Sequence, residues 1–233
     1  MNDIVTYFLP GESITLGPFR IARTDAQALA DFEVLVQTQQ PASRPWAPVT
    51  DYSFEARKAI EGIHPQLIKD VFQPTHVLDV GCGPEAVLVR LLADRGIEAT
   101  GIDCQLDGAT SWCPGFSFQG DIVAMDFSIS EPNDLVICRE VLEHLTIRQI
   151  RQAVTNLCAL SSRFVYVTTR FAQAPQHLLD VDTSDALDPT HITMLNQHLL
   201  RLLFVLEGFK RRADLEERMD WQHKGRVLVY DRG

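Results

Sequence analysis

The sequence lacks the features that would mark a secreted, membrane or metal-ribbon protein. Its five cysteines are never closer than nine residues apart, so it has no Cys-x-x-Cys pair for zinc or redox chemistry. The best apolar run near the amino terminus, Ile4–Leu9, is broken by Thr6 and stopped by Pro10, and fits neither a signal peptide nor a membrane span. We therefore expect a cytoplasmic protein with reduced thiols and no membrane partner.

Basic residues are also scarce. The 233 residues include 21 Lys and Arg against 31 Asp and Glu, which gives a formal net charge of −10. This balance disfavours a broad electrostatic grip on nucleic-acid phosphates, so a small or neutral partner is expected instead. With 45% hydrophobic and 22% charged residues, the chain has the composition of an ordinary globular protein. These figures leave the oligomeric state open.

From residue 76 onward, short apolar runs alternate with segments of helical period. This alternation is typical of a mostly parallel sheet with helices on both faces, and predicts an α/β fold. The predicted strands are 76–80, 100–102, 116–118, 134–138, 164–169 and 226–230. The predicted helices are 86–93, a helix that runs from a capping box at Thr146 and Gln149 to about Leu160, and 194–206.

Residues 1–72 lack this alternation and are predicted to form an N-terminal extension ahead of a domain that spans 73–233. The segment 41–48 contains three prolines, which is typical of a stiff extended connector. The segment 53–72 is helical in pattern but is interrupted by Pro65, which predicts two helices that meet near His64.

The sharpest motif is Val77–Leu88, a buried strand that runs into a glycine turn and then a helix. Gly81 and Gly83 permit backbone torsions and a close ligand approach that side chains would block, which implies a nucleotide-like cofactor. Asp103 lies 20 residues beyond Gly83, at the end of the next predicted strand. A carboxylate at that position can accept both hydroxyls of an adenosine ribose.

The glycine spacing alone leaves two cofactor classes open, because Gly81, Gly83 and Ala86 also satisfy the dinucleotide fingerprint in its alanine form. Glu85 favours S-adenosylmethionine, since it places a carboxylate where a dinucleotide would set its doubly charged pyrophosphate. S-adenosylmethionine has no phosphate and carries a cationic sulfonium. A nicotinamide-dependent dehydrogenase remains the alternative.

Together these motifs resemble those of class I S-adenosylmethionine-dependent methyltransferases, in the broad small-molecule group that includes ubiquinone-biosynthesis O-methyltransferases. The resemblance covers about residues 74–209. The matching segments are Val77–Pro84, Gly101–Cys104, Gly120–Ile122, Asp134–Leu145, His191–Asn196 and Glu207–Phe209. The chain departs from the family at Glu85, where a third glycine is usual.

The resemblance implies a Rossmann-like, mostly parallel seven-stranded sheet in 73–233 and a lid formed by 1–72. It implies methyl transfer from S-adenosylmethionine to an oxygen, nitrogen or carbon atom of a small-molecule acceptor. The residues implied to bind the cofactor are Asp79, Gly81, Cys82, Gly83, Asp103, Cys104, Asp121, Ile122 and Arg139. A non-catalytic S-adenosylmethionine-binding protein is a further alternative, to which only Glu85 points.

Several of these residues also have structural interpretations. Cys82, Cys104 and Cys138 are predicted to be small packing residues, because no activating partner is visible in the sequence. Arg139 either anchors an acidic group of the substrate or forms an ion pair with a neighbouring acid. The stretch 171–189 carries four aspartates, which is typical of a solvated loop, but its place after the fifth predicted strand also predicts a substrate wall.

His144 is the candidate general base, although a structural histidine that bonds the turn is the competing interpretation. Glu140, Glu143 and His144 fall at i, i+3 and i+4, so they would share one helical face, and with His191 they form a workable set for a divalent ion. Many relatives carry a similar Glu-Val-Leu-Glu-His run without a metal. The sequence therefore predicts metal-independent transfer.

Overall fold

The computed structural model describes residues 4–7, 13–16, 19–22, 33–41, 53–105, 115–129, 132–174, 177–182, 188 and 190–233. The helices are α1 (33–38), α2 (Phe54–Glu61), α3 (His64–Phe72), α4 (Val87–Ala93), α5 (Ile147–Leu160), α6 (Gln197–Leu206) and α7 (Ala213–Met219), with a 3₁₀ turn at Leu142–His144. The strands are β1 (Ile4–Tyr7), β2 (Ser13–Leu16), β3 (Phe19–Ala22), β4 (His76–Val80), β5 (Glu98–Asp103), β6 (Ser117–Gln119), β7 (Asn133–Arg139), β8 (Ser161–Thr168), β9 (Leu179–Asp182), β10 (Met194–Leu195), β11 (Lys210–Arg211) and β12 (Val227–Asp231).

One seven-stranded sheet organises the described residues from 76 onward. Its strand order is β11-β12-β8-β7-β4-β5-β6. The five strands from β8 to β6 are parallel, whereas β12 runs antiparallel to β8 and β11 antiparallel to β12. The predicted α/β fold with a Rossmann-like, mostly parallel seven-stranded sheet is therefore confirmed.

Side chains of the central strands alternate between two apolar layers, one on each face of the sheet. On β7, Val136 and Cys138 join the layer formed with α5 and α6, whereas Leu135 and Ile137 join the layer formed with α3, α4 and α7. This two-residue period, with both faces buried, explains why the strands read as continuous apolar runs. The polar side chains are consequently displaced to the ends of the strands, where the site lies.

The predicted helices are found with shifted starts. The predicted helix 86–93 begins at Val87, because Ala86 adopts the left-handed conformation with φ of 43°. The predicted helix 194–206 begins at Gln197, because Met194–Leu195 pairs with β9 and the Asn196 side chain caps the helix by accepting from the His198 amide. The capping box at Thr146 and Gln149 is confirmed at the start of α5.

The helices of the N-terminal extension match the sequence prediction, whereas the pairing of its first strand was not predicted. The two helices predicted in 53–72 are present, and Pro65 lies in the first turn of α3, where its missing amide hydrogen costs nothing. The strand β1 pairs antiparallel with β9, and β2 pairs with β3 as a hairpin. The predicted connector 41–48 lies outside the described residues apart from Pro41.

The stretch 171–189 is not simply a solvated acidic loop. Asp180 in β9 is fully buried, where its carboxylate accepts hydrogen bonds from the Gln173 amide and from Nδ1 of His177. Asp185 lies outside the described residues, whereas Asp188 lines the cavity described below. Among the described helices, none is both long and apolar enough to cross a bilayer.

Candidate active site

A cavity of about 690 Å³ lies at the carboxyl ends of the parallel strands, where loops from neighbouring strands meet. This volume is in the range of pockets that hold small-molecule ligands. The wall contains all ten residues that the sequence singled out as cofactor-binding or catalytic: Asp79, Gly81, Cys82, Gly83, Asp103, Cys104, Asp121, Ile122, Arg139 and His144. The fold thus brings together residues that are spread over 66 positions of the chain.

The glycine turn after β4 depends on two glycines with positive φ. Gly81 has a φ of +76°, and a Cβ placed on it would lie 2.3 Å from Cγ2 of Val141, so any side chain would clash. Gly83 has a φ of +67° and no atom within 4 Å of the place a Cβ would take. The Gly83 amide donates to Oδ2 of Asp103 at 3.0 Å, which links the turn to the end of β5. The turn therefore leaves open space beside a carboxylate, as a ribose-containing ligand requires.

Of the three cysteines predicted to be packing residues, Cys82 and Cys138 pack in the interior, whereas Cys104 is exposed. Cys82 lies against β5 so closely that a Cβ on Gly101 would come within 2.6 Å of its sulfur. Burial, followed by the charge of Asp103, raises the pKa of the Cys104 thiol to about 11, and burial also raises the pKa of Cys138. These groups stay protonated near neutral pH and are poor nucleophiles.

Asp79 is, with Glu61, one of the two deeply buried acids of the cavity wall. Its side chain is 4% exposed, and among the described residues no group donates a hydrogen bond to its carboxylate. Burial raises the pKa of Asp79 to about 7, with the charge of Arg139 opposing that rise. A cationic ligand group would stabilise this carboxylate, whereas a pyrophosphate would be repelled by it and by Glu85 and Asp103 on the same wall.

Arg139, at the end of β7, forms a buried cluster with the N-terminal helices. Its guanidinium makes two hydrogen bonds to the Glu61 carboxylate, at 2.9 and 3.2 Å. The His64 Nδ1–H also donates to Glu61, at 2.9 Å, and the Tyr166 hydroxyl donates to Nε2 of His64 at 3.0 Å. We call these four residues the Arg139 cluster. The ion-pair interpretation of Arg139 is thus the one that the geometry supports.

Electrostatics explains the protonation states in the Arg139 cluster. Burial would raise the pKa of Glu61, but the charge of Arg139 and hydrogen bonds from His64 and Arg139 outweigh it and hold that pKa well below its usual range. Burial and the charge of Arg139 lower the pKa of His64 to about 4. An ionised carboxylate therefore faces a cation and a neutral imidazole, which ties α2 and α3 to the end of β7.

The turn after β7 does not have the geometry that the sequence predicts. Glu140 has a φ of 52° and precedes the 3₁₀ turn, so the i, i+3, i+4 face does not form. Glu143 is fully buried, away from the cavity wall, and accepts a hydrogen bond from the Thr169 hydroxyl at 2.7 Å. Burial and the neighbouring Glu140 carboxylate raise the pKa of Glu143 to about 8. The expected shared face of Glu140, Glu143 and His144 is therefore wrong.

His144 instead belongs to a hydrogen-bonded group with residues 188–191. Its Nδ1 lies 3.1 Å from the Thr190 carbonyl oxygen and 2.8 Å from the Thr190 hydroxyl, which in turn donates to Oδ1 of Asp188. A carbonyl oxygen can only accept, so Nδ1 carries the hydrogen and Nε2 keeps its lone pair. His191 lies beside it, with ring centroids 4.8 Å apart and its Nε2 3.3 Å from Oδ2 of Asp188. We call these four residues the histidine cluster.

The histidine cluster could also hold a metal ion. One ligand atom each from His144, Asp188 and His191 lie within 4.8 Å of one another. Two imidazoles and a carboxylate are a ligand set for divalent transition metals. Asp188 belongs to the stretch predicted as a substrate wall, but its contacts with the two histidines and the part played by Thr190 have no local signal in the sequence.

The extension reaches this end of the cavity through Gln39. Its Nε2 donates to the Thr193 hydroxyl at 2.8 Å and to the Ile192 carbonyl, and its Oε1 accepts from the Ile147 amide at 3.0 Å. These bonds connect residues near α1 to the segment that carries the histidine cluster. No local pattern in the sequence predicts this contact, since Gln39 and Thr193 are 154 positions apart.

Comparison with known proteins yields a family and a set of similar folds. A sequence-family model described as "Methyltransferase domain" matches residues 52–213. A search of curated protein sequences found no significant match.

Among solved structures, the fold is similar to that of a SAM-dependent methyltransferase from Archaeoglobus fulgidus, with 16% identity, a TM-score of 0.55 and coverage of 77% of this chain and 94% of that one. It is also similar to 1,6-didemethyltoxoflavin-N1-methyltransferase from Burkholderia thailandensis, with 13% identity, a TM-score of 0.52 and coverage of 82% and 93%. An amino pentose methyltransferase from Micromonospora echinaspora matches with 16% identity, a TM-score of 0.53 and coverage of 80% and 99%.

Proposed function

Because this chain belongs to the methyltransferase-domain family, we propose that it transfers a methyl group from S-adenosylmethionine to an oxygen, nitrogen or carbon atom of a small-molecule acceptor. The main support for S-adenosylmethionine as the cofactor is the cavity wall formed by Asp79, Gly83 and Asp103. Gly83 leaves open space beside Asp103, which could bind a ribose, and Asp79 supplies a buried carboxylate. Similar structures solved with S-adenosylhomocysteine or S-adenosylmethionine bound support the same choice. Membership of the ubiquinone-biosynthesis group stays a prediction.

The residues of the cavity fit this cofactor better than a nicotinamide dinucleotide. When bound, S-adenosylmethionine supplies a methyl carbon that is already activated by a sulfonium. Asp103 would bind the ribose hydroxyls, Asp121 and Ile122 would border the adenine, and Asp79 would face the positive charge of the cofactor. Arg139 would act through Glu61, by holding α2 and α3 against the end of β7. The dehydrogenase and the non-catalytic binding protein are the less favoured alternatives.

His144 is proposed to accept a proton from acceptors that must lose one. Burial lowers the pKa of His144 below its usual 6.5, with the charge of Asp188 and the hydrogen bond to Thr190 opposing that fall. The imidazole is therefore neutral near pH 7, and Thr190 fixes the tautomer in which Nε2 carries the lone pair. Apart from this step, catalysis would rest on the approach geometry of the acceptor and on exclusion of water.

The ribose placement is tested by substituting Asp103. We expect Asp103→Ala to weaken S-adenosylmethionine binding by about 1.5 to 3 kcal/mol, the cost of losing hydrogen bonds to a charged group. The exposed Asp70 on α3 gives a matched control, because Asp70→Ala makes the same change in charge away from the cavity. Titration calorimetry that finds equal affinity for the wild type and Asp103→Ala would show that the ribose lies elsewhere.

We propose that transfer needs no metal. Thr190 already engages Nδ1 of His144 and Oδ1 of Asp188, and Nε2 of His191 lies 3.3 Å from Oδ2 of Asp188, so a cation would have to displace these contacts. Exhaustive chelation should therefore leave the methyl-transfer rate unchanged. Loss of activity on chelation with recovery on addition of Mg²⁺, Mn²⁺ or Zn²⁺, together with loss in His191→Ala, would reverse this assignment and make a metal-bound hydroxyl the acceptor.

Residues 1–72 are proposed to cover the acceptor side of the cavity. Arg57, Ile60, Glu61 and His64 line the wall, and Gln39 holds the segment next to the histidine cluster. We expect deletion of residues 1–50 to lower turnover more than cofactor affinity, as measured by S-adenosylhomocysteine release and by calorimetry. Full activity in the truncated protein would refute the lid, and aggregation would show that the extension belongs to the core.

A cytoplasmic location is also proposed. The four cysteines within the described residues, Cys82, Cys104, Cys138 and Cys158, are all free thiols, as expected in a reducing compartment. Cell fractionation would test this location directly.

A further inference from the structure

Five cationic side chains line the cavity, although the chain as a whole carries a net charge of −10. They are Arg57, Arg139, Arg170, Lys224 and Arg226. The same wall also carries eight acids, so each cation either pairs with one of them or faces water, where a ligand can reach it. The pairing of each cation distinguishes these cases.

Three of the five cations are paired with acids of the wall. Arg139 is bonded twice to Glu61, and Arg57 lies 3.7 Å from the same carboxylate. Arg226 lies 3.6 Å from Glu140. In contrast, neither Arg170 nor the Lys224 ammonium has an acidic partner at ion-pair distance in the parts of the chain that the structure describes.

The other acids at this end of the cavity are already engaged by hydrogen bonds. Asp188 accepts from Thr190 and lies against His191. Asp220 accepts from the backbone amides of Lys224 and Gly225, at 2.9 and 2.8 Å, and so orders the turn that carries Lys224. Within the described residues, Arg170 and Lys224 therefore have no carboxylate at ion-pair distance.

The sheet brings these two cations to one end of the cavity. Thr168 at the end of β8 is the register partner of Val227 at the start of β12. Arg170 follows Thr168 by two positions, and Lys224 precedes Val227 by three. Arg170 also lies near the histidine cluster, because its charge contributes to the pKa of His191. Burial lowers that pKa most, the charge of Asp188 opposes the fall, and the charges of His144 and Arg170 lower it further.

We propose that the methyl acceptor carries an anionic group, a carboxylate or a phosphate, which Arg170 and Lys224 bind beyond the end of β8. This inference rests on the proposed function, because it concerns the acceptor of the same site. A guanidinium offers parallel N–H groups to the oxygens of either anion, and an ammonium adds a second charge. Both side chains are exposed, so the anion would replace water rather than a protein group. The nucleophilic atom of the acceptor would then lie toward His144.

The test uses three ring compounds of similar shape with different charge: benzoate, phenyl phosphate and the neutral benzamide. Their affinities are measured by calorimetry on the full chain saturated with S-adenosylhomocysteine. The test variants are Arg170→Met, Lys224→Met and the double variant. Arg163→Met is the matched control, because Arg163 lies at the opposite end of β8 with its guanidinium over the Phe164 ring.

We expect at least one anion to bind about tenfold or more tightly than benzamide, which corresponds to one charge-assisted hydrogen bond. The double variant should lose this preference, whereas Arg163→Met should keep it. The stronger of benzoate and phenyl phosphate identifies the anion as carboxylate or phosphate.

Equal affinity for benzamide and the anions, an unchanged preference in the double variant, or binding of none of the three would overturn the anionic acceptor. Failure of the wild type to bind S-adenosylhomocysteine would instead contradict the proposed function, so the two failures are distinguishable.

Discussion

Arg139→Met is expected to lower the free energy of unfolding by about 3 kcal/mol, because it removes the closest counter-charge of a buried carboxylate. Glu61 is 3% exposed, and without Arg139 it would keep the hydrogen bond from Nδ1–H of His64 and the more distant guanidinium of Arg57, at 3.7 Å. In the wild type the pKa of Glu61 is depressed, so the stability it contributes is present above its unfolded pKa and is lost as pH falls. Without Arg139, burial would raise that pKa, and protonation at low pH would relieve the strain. The stability difference between the two proteins should therefore shrink between pH 7 and pH 4, as followed by urea unfolding.

Two controls separate this effect from a simple loss of surface charge. Glu61→Gln should cost less than Arg139→Met, because the Arg139 side chain is 24% exposed and can be hydrated. Arg151→Met removes the ion pair between Arg151 and Glu207. Because the Arg151 side chain is 47% exposed, the free energy of unfolding should fall by less than about 1 kcal/mol. A loss in Arg139→Met no larger than that in Arg151→Met would mean that the cluster does not hold α2 and α3 to the sheet.

His144→Gln is expected to lower the methyl-transfer rate about 100-fold or more for an acceptor that must lose a proton, the usual contribution of a general base. In the wild type the rate should rise with pH through the pKa of His144, which lies below 6.5, and be flat at neutral pH. The variant should lose this rising limb and keep its affinity for S-adenosylmethionine. The rate is measured as S-adenosylhomocysteine release over the pH range.

Thr190→Val and His76→Gln complete the comparison. Thr190→Val removes the hydroxyl that connects His144 to Asp188 but keeps the carbonyl acceptor, so its rate should fall about fivefold, the value of one hydrogen bond. His76 lies at the amino end of β4, away from the cavity and beside Glu98, and His76→Gln should have no effect on rate. A rate in His144→Gln equal to that of His76→Gln would leave His144 a structural residue.

The residues that could be identified from sequence are those whose role is set by local geometry. The segment Val77–Leu88 predicts a strand followed by a glycine turn, because the turn itself requires Gly81 and Gly83. The short spacing from this turn to Asp103 then identifies the acid at the end of the next strand. The alternation of apolar runs with helical segments was enough to predict the sheet, since its central strands are buried on both faces.

The partners that the sequence missed depend on contacts between distant segments. Glu61 and Arg139 are 78 positions apart, and His144 and Thr190 are 46 apart, so neither pairing has a local signature. The wrong expectation for Glu143 has a different cause. A single residue with positive φ, Glu140, shifts the helical phase of the turn, and a glutamate gives no warning of that backbone conformation.

The identity of the cofactor is tested by titrating the wild-type chain with S-adenosylmethionine, S-adenosylhomocysteine and oxidised nicotinamide dinucleotide in separate calorimetric experiments. We expect the first two ligands to bind with one site per chain, and the dinucleotide neither to bind nor to compete. Binding of the dinucleotide with no binding of S-adenosylmethionine would contradict this expectation, because the buried Asp79 carboxylate would then face a ligand with negative phosphates.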